Sequence, residues 1–189
     1  YDDVLPYFKR AESFEDGANA HHGADGPLHV RHLASPHAIS HDFVAACSAA
    51  QLPHNKDFNT GTHYGAGLFD VTQFHNGPTG ERCSSAAAYL HPIADRKNLT
   101  VMPDTLVQKV DFEGSRATGV TVLRKGQTDV ISCQREVILS AGAFQSPQIL
   151  MLSGIGPAHH LKDHGLPVVA NAPEVGQNLQ DHVDFILSY

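Results

Sequence analysis

The chain of 189 residues is 41% hydrophobic and 17% charged, carries a net charge of −7, and has no apolar run long enough for a membrane-spanning helix. Those values describe a globular protein with length for one domain or slightly more and for a substantial core; the acidic balance excludes nucleic acid as a partner, and no polybasic run addresses a membrane surface. Three cysteines, Cys47, Cys83 and Cys133, form an odd and widely spaced set, so neither a disulfide framework nor a zinc knuckle is expected. Reduced thiols packed as small hydrophobes point to a cytoplasmic location.

In chain order, Val4, Leu5, Tyr7 and Phe8 set against Lys9, Arg10 and Glu12 predict a short amphipathic helix with Pro6 in its first turn. Residues 13–26, rich in Gly, Ala, His and acid, read as a surface loop, and Pro27–Leu33 as a short strand. Ser35-Pro36 is a helix start, Ser as N-cap and Pro at the first helical position, followed by Ile39, Phe43, Ala46 and Ala50 at helical spacing. That helix ends before Pro53. Residues 54–67 read as loop, Leu68–His75 as strand, Asn76-Gly77 as a turn, and Ser84–Leu90 as a short helix ahead of Pro92.

Four strands follow, at Leu99–Met102, Leu106–Phe112, Gly119–Arg124 and Val130–Cys133. The turns Glu113-Gly114-Ser115 and Lys125-Gly126-Gln127 make the last three an antiparallel meander. Val137–Leu139 is a continuous apolar strand of the kind buried on both faces. After the turn Ala141-Gly142-Ala143, a helix opens on Ser146-Pro147, carries Ile149, Leu150 and Leu152, and closes on Ser153-Gly154. Pro157–His164 is a second short helix ended by Gly165, and Asn178–Tyr189 a last strand. The chain begins at Tyr1 and stops within DFILSY, with no polar fraying tail at either end. A piece of a longer protein is therefore expected.

Among candidate sites, Gly61, Gly65 and Gly67 in GTHYGAG follow no apolar strand and lead into no helix, so they read as loop rather than dinucleotide cradle. Gly154 and Gly156 follow a helix, which is C-cap chemistry. His160 and His164 have the i,i+4 spacing of metal ligands but no third partner is evident; they and His21-His22 read as surface histidines. Ser84 and Ser153 sit at helix ends and read as caps, and Asp181-His182, adjacent in sequence, seldom face each other. Ala141-Gly142-Ala143 has two readings that stay open at this point. Small residues there let a cofactor approach the backbone, and they equally allow close strand–helix packing.

The run Gly142–Gly156, GAFQSPQILMLSGIG, resembles the second signature of the glucose–methanol–choline oxidoreductase family of flavoproteins. YDDVLPYFKRAE, GERCSSAAAYLHP, RKNLTVMPDTLVQKV, RATGVTV and EVGQNLQDH follow in that family's order and spacing, and the bacterial choline-dehydrogenase-like branch looks the most similar. The resemblance implies a mixed α/β fold: part of a Rossmann-like FAD-binding domain with an antiparallel meander, joined to part of a substrate-binding domain. It implies a middle fragment, with residues 1–95 on the substrate side, 96–165 in the FAD-binding domain and 166–189 returning to the substrate side. Val107 is implied to lie against the adenine, and Ser140, Ala141 and Gly142 near the adenosine and pyrophosphate.

The activity implied is oxidation of a small primary alcohol by hydride transfer to FAD. The family's N-terminal glycine loop and C-terminal catalytic histidine have no counterpart in these residues, so no catalytic residue and no metal ligand is assigned. An FAD-containing lyase or decarboxylase, and a non-catalytic module made from an orphaned fragment, are the alternatives.

Overall fold

The computed structural model describes residues 1–75 and 80–186. The chain divides into two compact units, Tyr1–Thr100 and Val101–Tyr189. The fold is mixed α/β, with an antiparallel sheet and several helices.

In the first unit, helix α1 (Leu5–Ala11) has Pro6 in its first turn and Lys9 and Arg10 in its last, where cations suit the carbonyl end. It runs directly into β1 (Glu12–Phe14), which pairs in parallel with β2 (Leu28–Val30). The connection is exposed at Asp16, Ala18, Asn19, Ala20 and Asp25, as its composition indicates, but it also has a buried part at His22 and Gly23. Ser13, Phe14 and His22 are buried, and Gly23 lies so close to the Lys9 carbonyl that a Cβ there would collide with it. The loop folds back on the α1–β1 corner, and glycine permits that approach.

Helix α2 (Ala38–Ala49) starts after His37, whose ring accepts the Ile39 N–H, rather than at Ser35-Pro36. Its apolar positions Ile39 and Phe43 are exposed. Residues 68–75 form no strand; isolated bridges join Val71 to Arg31 and Gln73 to Arg82. Asn76-Gly77 lies outside the described residues. Ser84 accepts the Ala87 N–H as a cap, and the turn it opens is a π-turn, Ala86–Leu90, tightening to a 3₁₀ turn at His91–Ile93.

The second unit contains the expected meander. Strands β3 (Thr105–Glu113), β4 (Arg116–Arg124) and β5 (Gln127–Ser132) pair antiparallel in that order. The β4–β5 connection puts Lys125 and Gly126 at φ 50° and 78°, the pair of positive φ angles whose twist matches a two-residue hairpin. Leu99–Met102 is irregular rather than a strand.

Helix α3 (Gly142–Leu152) begins four residues before Ser146, so Pro147 falls inside it. Ser146 still caps the start, from within, because its Oγ accepts the Ala141 N–H at 2.9 Å. Gly154, at φ 86°, ends the helix as anticipated. Then β6 (Ile155–Gly156) pairs in parallel with β7 (Ala170–Asn171), with α4 (Ala158–Asp163) between them.

Two further expectations are corrected. Val137–Leu139 belongs to no ladder among the described residues, and Ile138 is 76% exposed rather than buried on both faces. Residues 178–186 likewise form no strand. The substantial core is also divided: Phe14, Cys83 and Ala88 are the buried hydrophobics of the first unit, and Val110, Val122, Ile149 and Leu161 those of the second.

Candidate functional site

The turn before α3 has the features of a ligand-facing backbone. Gly142 is at φ 85°, a conformation that side-chain-bearing residues rarely adopt, yet a Cβ there would meet nothing within 4 Å. The glycine therefore serves the sharp turn, not close packing of strand on helix. Ser140 is exposed and Ala141 half-buried. Ala141, at the N-cap position, offers no side-chain cap, and the first turn of α3 carries no acid. The first amide groups of this eleven-residue helix have no intrahelical acceptor and no acidic residue in their own turn.

Val107 is half-buried on β3, at a register shift between Val107 and Lys109. Strand β3 packs on α3, and the tie between them is Ser153. Its buried Oγ accepts the Val110 N–H at 2.8 Å and donates to the Ile149 carbonyl. Ser153 does more than cap the helix: it fastens the end of α3 to the sheet. The structure brings Ser140, Ala141 and Gly142 together in one turn and places Val107 on the strand that α3 covers, with no hydrogen bond between the two groups among the described residues.

The first unit holds a cluster that periodicity and motif do not reveal. His22 is 1% exposed and its ring stacks on Phe14, centroids 4.0 Å apart. Nδ1 lies 2.9 Å from Glu12 Oε2, and Nε2 lies 3.0 Å from Asp57 Oδ2. His32 packs T-shaped against the same phenyl ring, 5.5 Å between centroids. Its Nδ1 is 2.6 Å from Asp70 Oδ1, and its Nε2 is 3.0 Å from Asp16 Oδ2. Reading His22 as a surface histidine is therefore corrected.

Burial on its own lowers the proton affinity of His22, but hydrogen bonds to Asp57 and Glu12, with their charges, outweigh it and raise the pKa. For His32 the bonds to Asp16 and Asp70 dominate and the pKa is again raised. Nearby His29 goes the other way, lowered by burial and then by His75. Glu12 and His22 also line a cleft of about 380 Å³. Leu5, Phe8 and Phe58 form its apolar side, with His63 and Asp70 on the polar side. No short-range signal could have found this cluster, because Asp57 and Asp70 come from loops 35 and 38 residues away from their histidines.

The remaining candidates keep their plain readings. Gly65 and Gly67 approach the Pro53 and Asn55 carbonyls too closely for any Cβ, within a loop. His159 is exposed and pairs with Asp163, while His160 rests edge-on against His164. Asp181 accepts the His182 backbone N–H, so the two side chains form no acid–base pair. Cys47, Cys83 and Cys133 are free, and Cys83 takes the His29 N–H at its buried sulfur. No helix is long and apolar enough to cross a membrane among the described residues.

The sequence model of the GMC oxidoreductase family matches residues 1–184. Mitochondrial choline dehydrogenase of Mus musculus is 46% identical over 184 residues, 97% of this chain and 30% of its own length. The Homo sapiens enzyme is 46% identical over 187 residues, 99% of this chain and 31% of its own. An FAD-dependent oxidoreductase from Chaetomium thermophilum superposes with a TM-score of 0.87 at 29% identity, covering 95% of this chain and 33% of that one. The chain thus spans about a third of the length of these relatives.

The cytoplasmic location drawn from the cysteines is overturned by the two mitochondrial relatives. Free thiols mark a reducing environment, not one particular compartment. With a family model that runs almost end to end and two choline dehydrogenases nearly half identical across it, the chain belongs to the GMC oxidoreductase family and is choline-dehydrogenase-like within it.

Proposed function

We propose that the protein carrying this chain is an FAD-dependent oxidoreductase that oxidises the CH–OH group of a small primary alcohol, and that this chain is the middle third of it. The observation that carries the reading is the Ser140-Ala141-Gly142 turn: a glycine at positive φ with open space around its Cβ position, leading into a helix whose first turn carries no acidic residue. Backbone N–H groups and the partial positive charge of a helix N-terminus suit a pyrophosphate. FAD, once bound, supplies the acceptor for the hydride leaving the alcohol carbon.

This chain's share is to bind and orient. The Ala141–Gly142 backbone approaches the phosphates, Ser140 borders them, and Val107 forms an apolar wall beside the adenine. Ser153 holds β3 and α3 in register, so the wall and the turn keep their spacing. No proton transfer is assigned to a side chain of this chain.

The domain reading belongs to the same proposal: residues 1–95 on the substrate side, 96–165 in the FAD-binding domain, and the remainder returning to the substrate side. The division of the chain after Thr100 supports the first boundary. The pairing of Ile155–Gly156 with Ala170–Asn171 argues for placing the second after Asn171.

Two substitutions at one position test the cofactor contact in the full-length enzyme. Gly142→Ala and Gly142→Leu impose the same backbone strain, about 1–2 kcal/mol for leaving the left-handed region to an L residue. Neither Cβ meets anything within the chain. If the turn faces FAD, the leucine variant loses bound flavin and its absorbance while the alanine variant retains most of it. Equal flavin content in the two would defeat this placement.

A further inference from the structure

We propose that His22 and His32 form a pair of pH-released clasps, each imidazolium tying the β1 region to a distant loop through two carboxylates. The argument is one of donors and acceptors. A neutral imidazole has one N–H and one bare nitrogen, so it can satisfy only one carboxylate; the other ring nitrogen would face a negative oxygen with its lone pair. Both nitrogens of His22 lie within 3.1 Å of carboxylate oxygens, Glu12 on one side and Asp57 on the other. Both nitrogens of His32 do the same with Asp70 and Asp16. Only the doubly protonated ring meets that arrangement with two charge-assisted hydrogen bonds.

The positions make these bonds structural. Glu12 is the first residue of β1, and its carboxylate also accepts the Gly23 N–H, which pins the folded-back loop. Asp57 stands in the 54–67 loop, where its own carboxylate accepts the Asn59 N–H. Asp16 follows β1, and Asp70 lies in the segment bridged to Arg31 through Val71. Phe14, itself buried, contacts both rings, stacked on His22 and T-shaped with His32. Other titratable and charged groups stand around the pair: Glu15, which accepts the His32 backbone N–H, and Arg31, 3.2 Å from Glu15; His21 and His63 in the cleft beside His22; and His41, His54 and Lys56 in the cleft beside His32. The four carboxylates outnumber the two rings, so each proton is held against net negative charge.

The sign follows from the raised affinities of both rings. Folding takes up protons here, so the stabilisation is complete below the unfolded value of about 6.5 and disappears as pH climbs through the higher folded values. The clasps open on the alkaline side, freeing the 54–75 region from β1.

The test uses the full-length protein carrying this chain, with ¹⁵N-labelled histidine. At about pH 7, where an ordinary histidine is mostly neutral, both ring nitrogens of His22 should carry protons. A His22 ring with a single proton at that pH would overturn the clasp. Thermal unfolding reads the consequence: between about pH 6 and about pH 9 the wild-type Tm should drop about 5 °C further than that of His22→Gln. His22→Lys, which keeps its charge across that range, should flatten the profile. A wild-type slope that survives unchanged in either variant also defeats the proposal, and the ring titration decides the matter even where a variant does not fold.

Discussion

In the second unit, β3, β4 and β5 run nine, nine and six residues and are joined by tight turns, so order there comes from backbone pairing between strands that are neighbours in the chain. In the first unit, β1 and β2 share only three residue pairs. Order there depends on side chains that reach across long stretches of sequence: Glu12 to His22 to Asp57, Asp16 to His32 to Asp70. A ladder of amides does not titrate, whereas a charged clasp does. The difference therefore separates two kinds of vulnerability: the meander answers to whatever breaks its backbone register, and the clasped loops answer to pH and to any side chain that enters their close approaches.

The largest expected effect breaks the first unit alone. Gly23→Ala would drive a methyl group into the Lys9 carbonyl, with the Glu12 carbonyl also within 3.0 Å. Neither obstacle is a flexible side-chain tip, so the loop must lift, and His22 lifts with it. A destabilisation of about 3 kcal/mol is expected, at the upper end of overpacking costs. Hydrogen exchange should accelerate at the β1 amides and leave the β3–β5 ladder unchanged. Equal acceleration in both would contradict the separation.

A smaller loss should appear in the second unit on Ser153→Ala. The Val110 N–H would lose its acceptor in a buried position, and the Ile149 carbonyl one of its donors. About 1–3 kcal/mol is expected for an orphaned buried donor. Because the bond joins helix to strand, the loss should loosen α3 against β3 and lower flavin retention in the full-length enzyme without altering the pH profile of unfolding. A change confined to pH dependence would place Ser153 in the wrong class of interaction.

These contrasts explain what was legible in the residues alone. Lys125-Gly126 and Gly114 mark hairpins because positive φ is a local demand, and Gly154 marks a helix end for the same reason. Val137–Leu139 reads as a buried strand, and its composition suits one, but a strand needs neighbours and none of the described residues supplies them. Ser146-Pro147 reads as a helix start; the turn at Gly142 begins the helix earlier and turns Ser146 into a cap acting from within. The stretch 13–26 reads as solvent-facing because Gly, Ala and His carry no periodicity. Much of it is, but His22 is buried and held in part by Asp57, 35 residues along the chain, and no window of neighbouring residues contains that information. Within the candidate cofactor turn, small residues at 140–142 were visible, but whether they serve packing or approach depended on the empty space beside Gly142.

The smallest effect is expected where the contact distance is the same as in the clasps and the setting differs. His159 Nδ1 lies 2.9 Å from Asp163 Oδ2, as close as His22 to Glu12, but the His159 side chain is 92% exposed. Water screens both partners, and holding two mobile side chains together costs much of what the pairing returns. His159→Ala should therefore leave Tm and its pH dependence unchanged. If it instead removed an alkaline slope, proximity of imidazole and carboxylate would suffice to couple stability to pH. Burial against Phe14 and double coordination would then no longer set His22 apart, and the contrast between the two units would rest on backbone pairing alone.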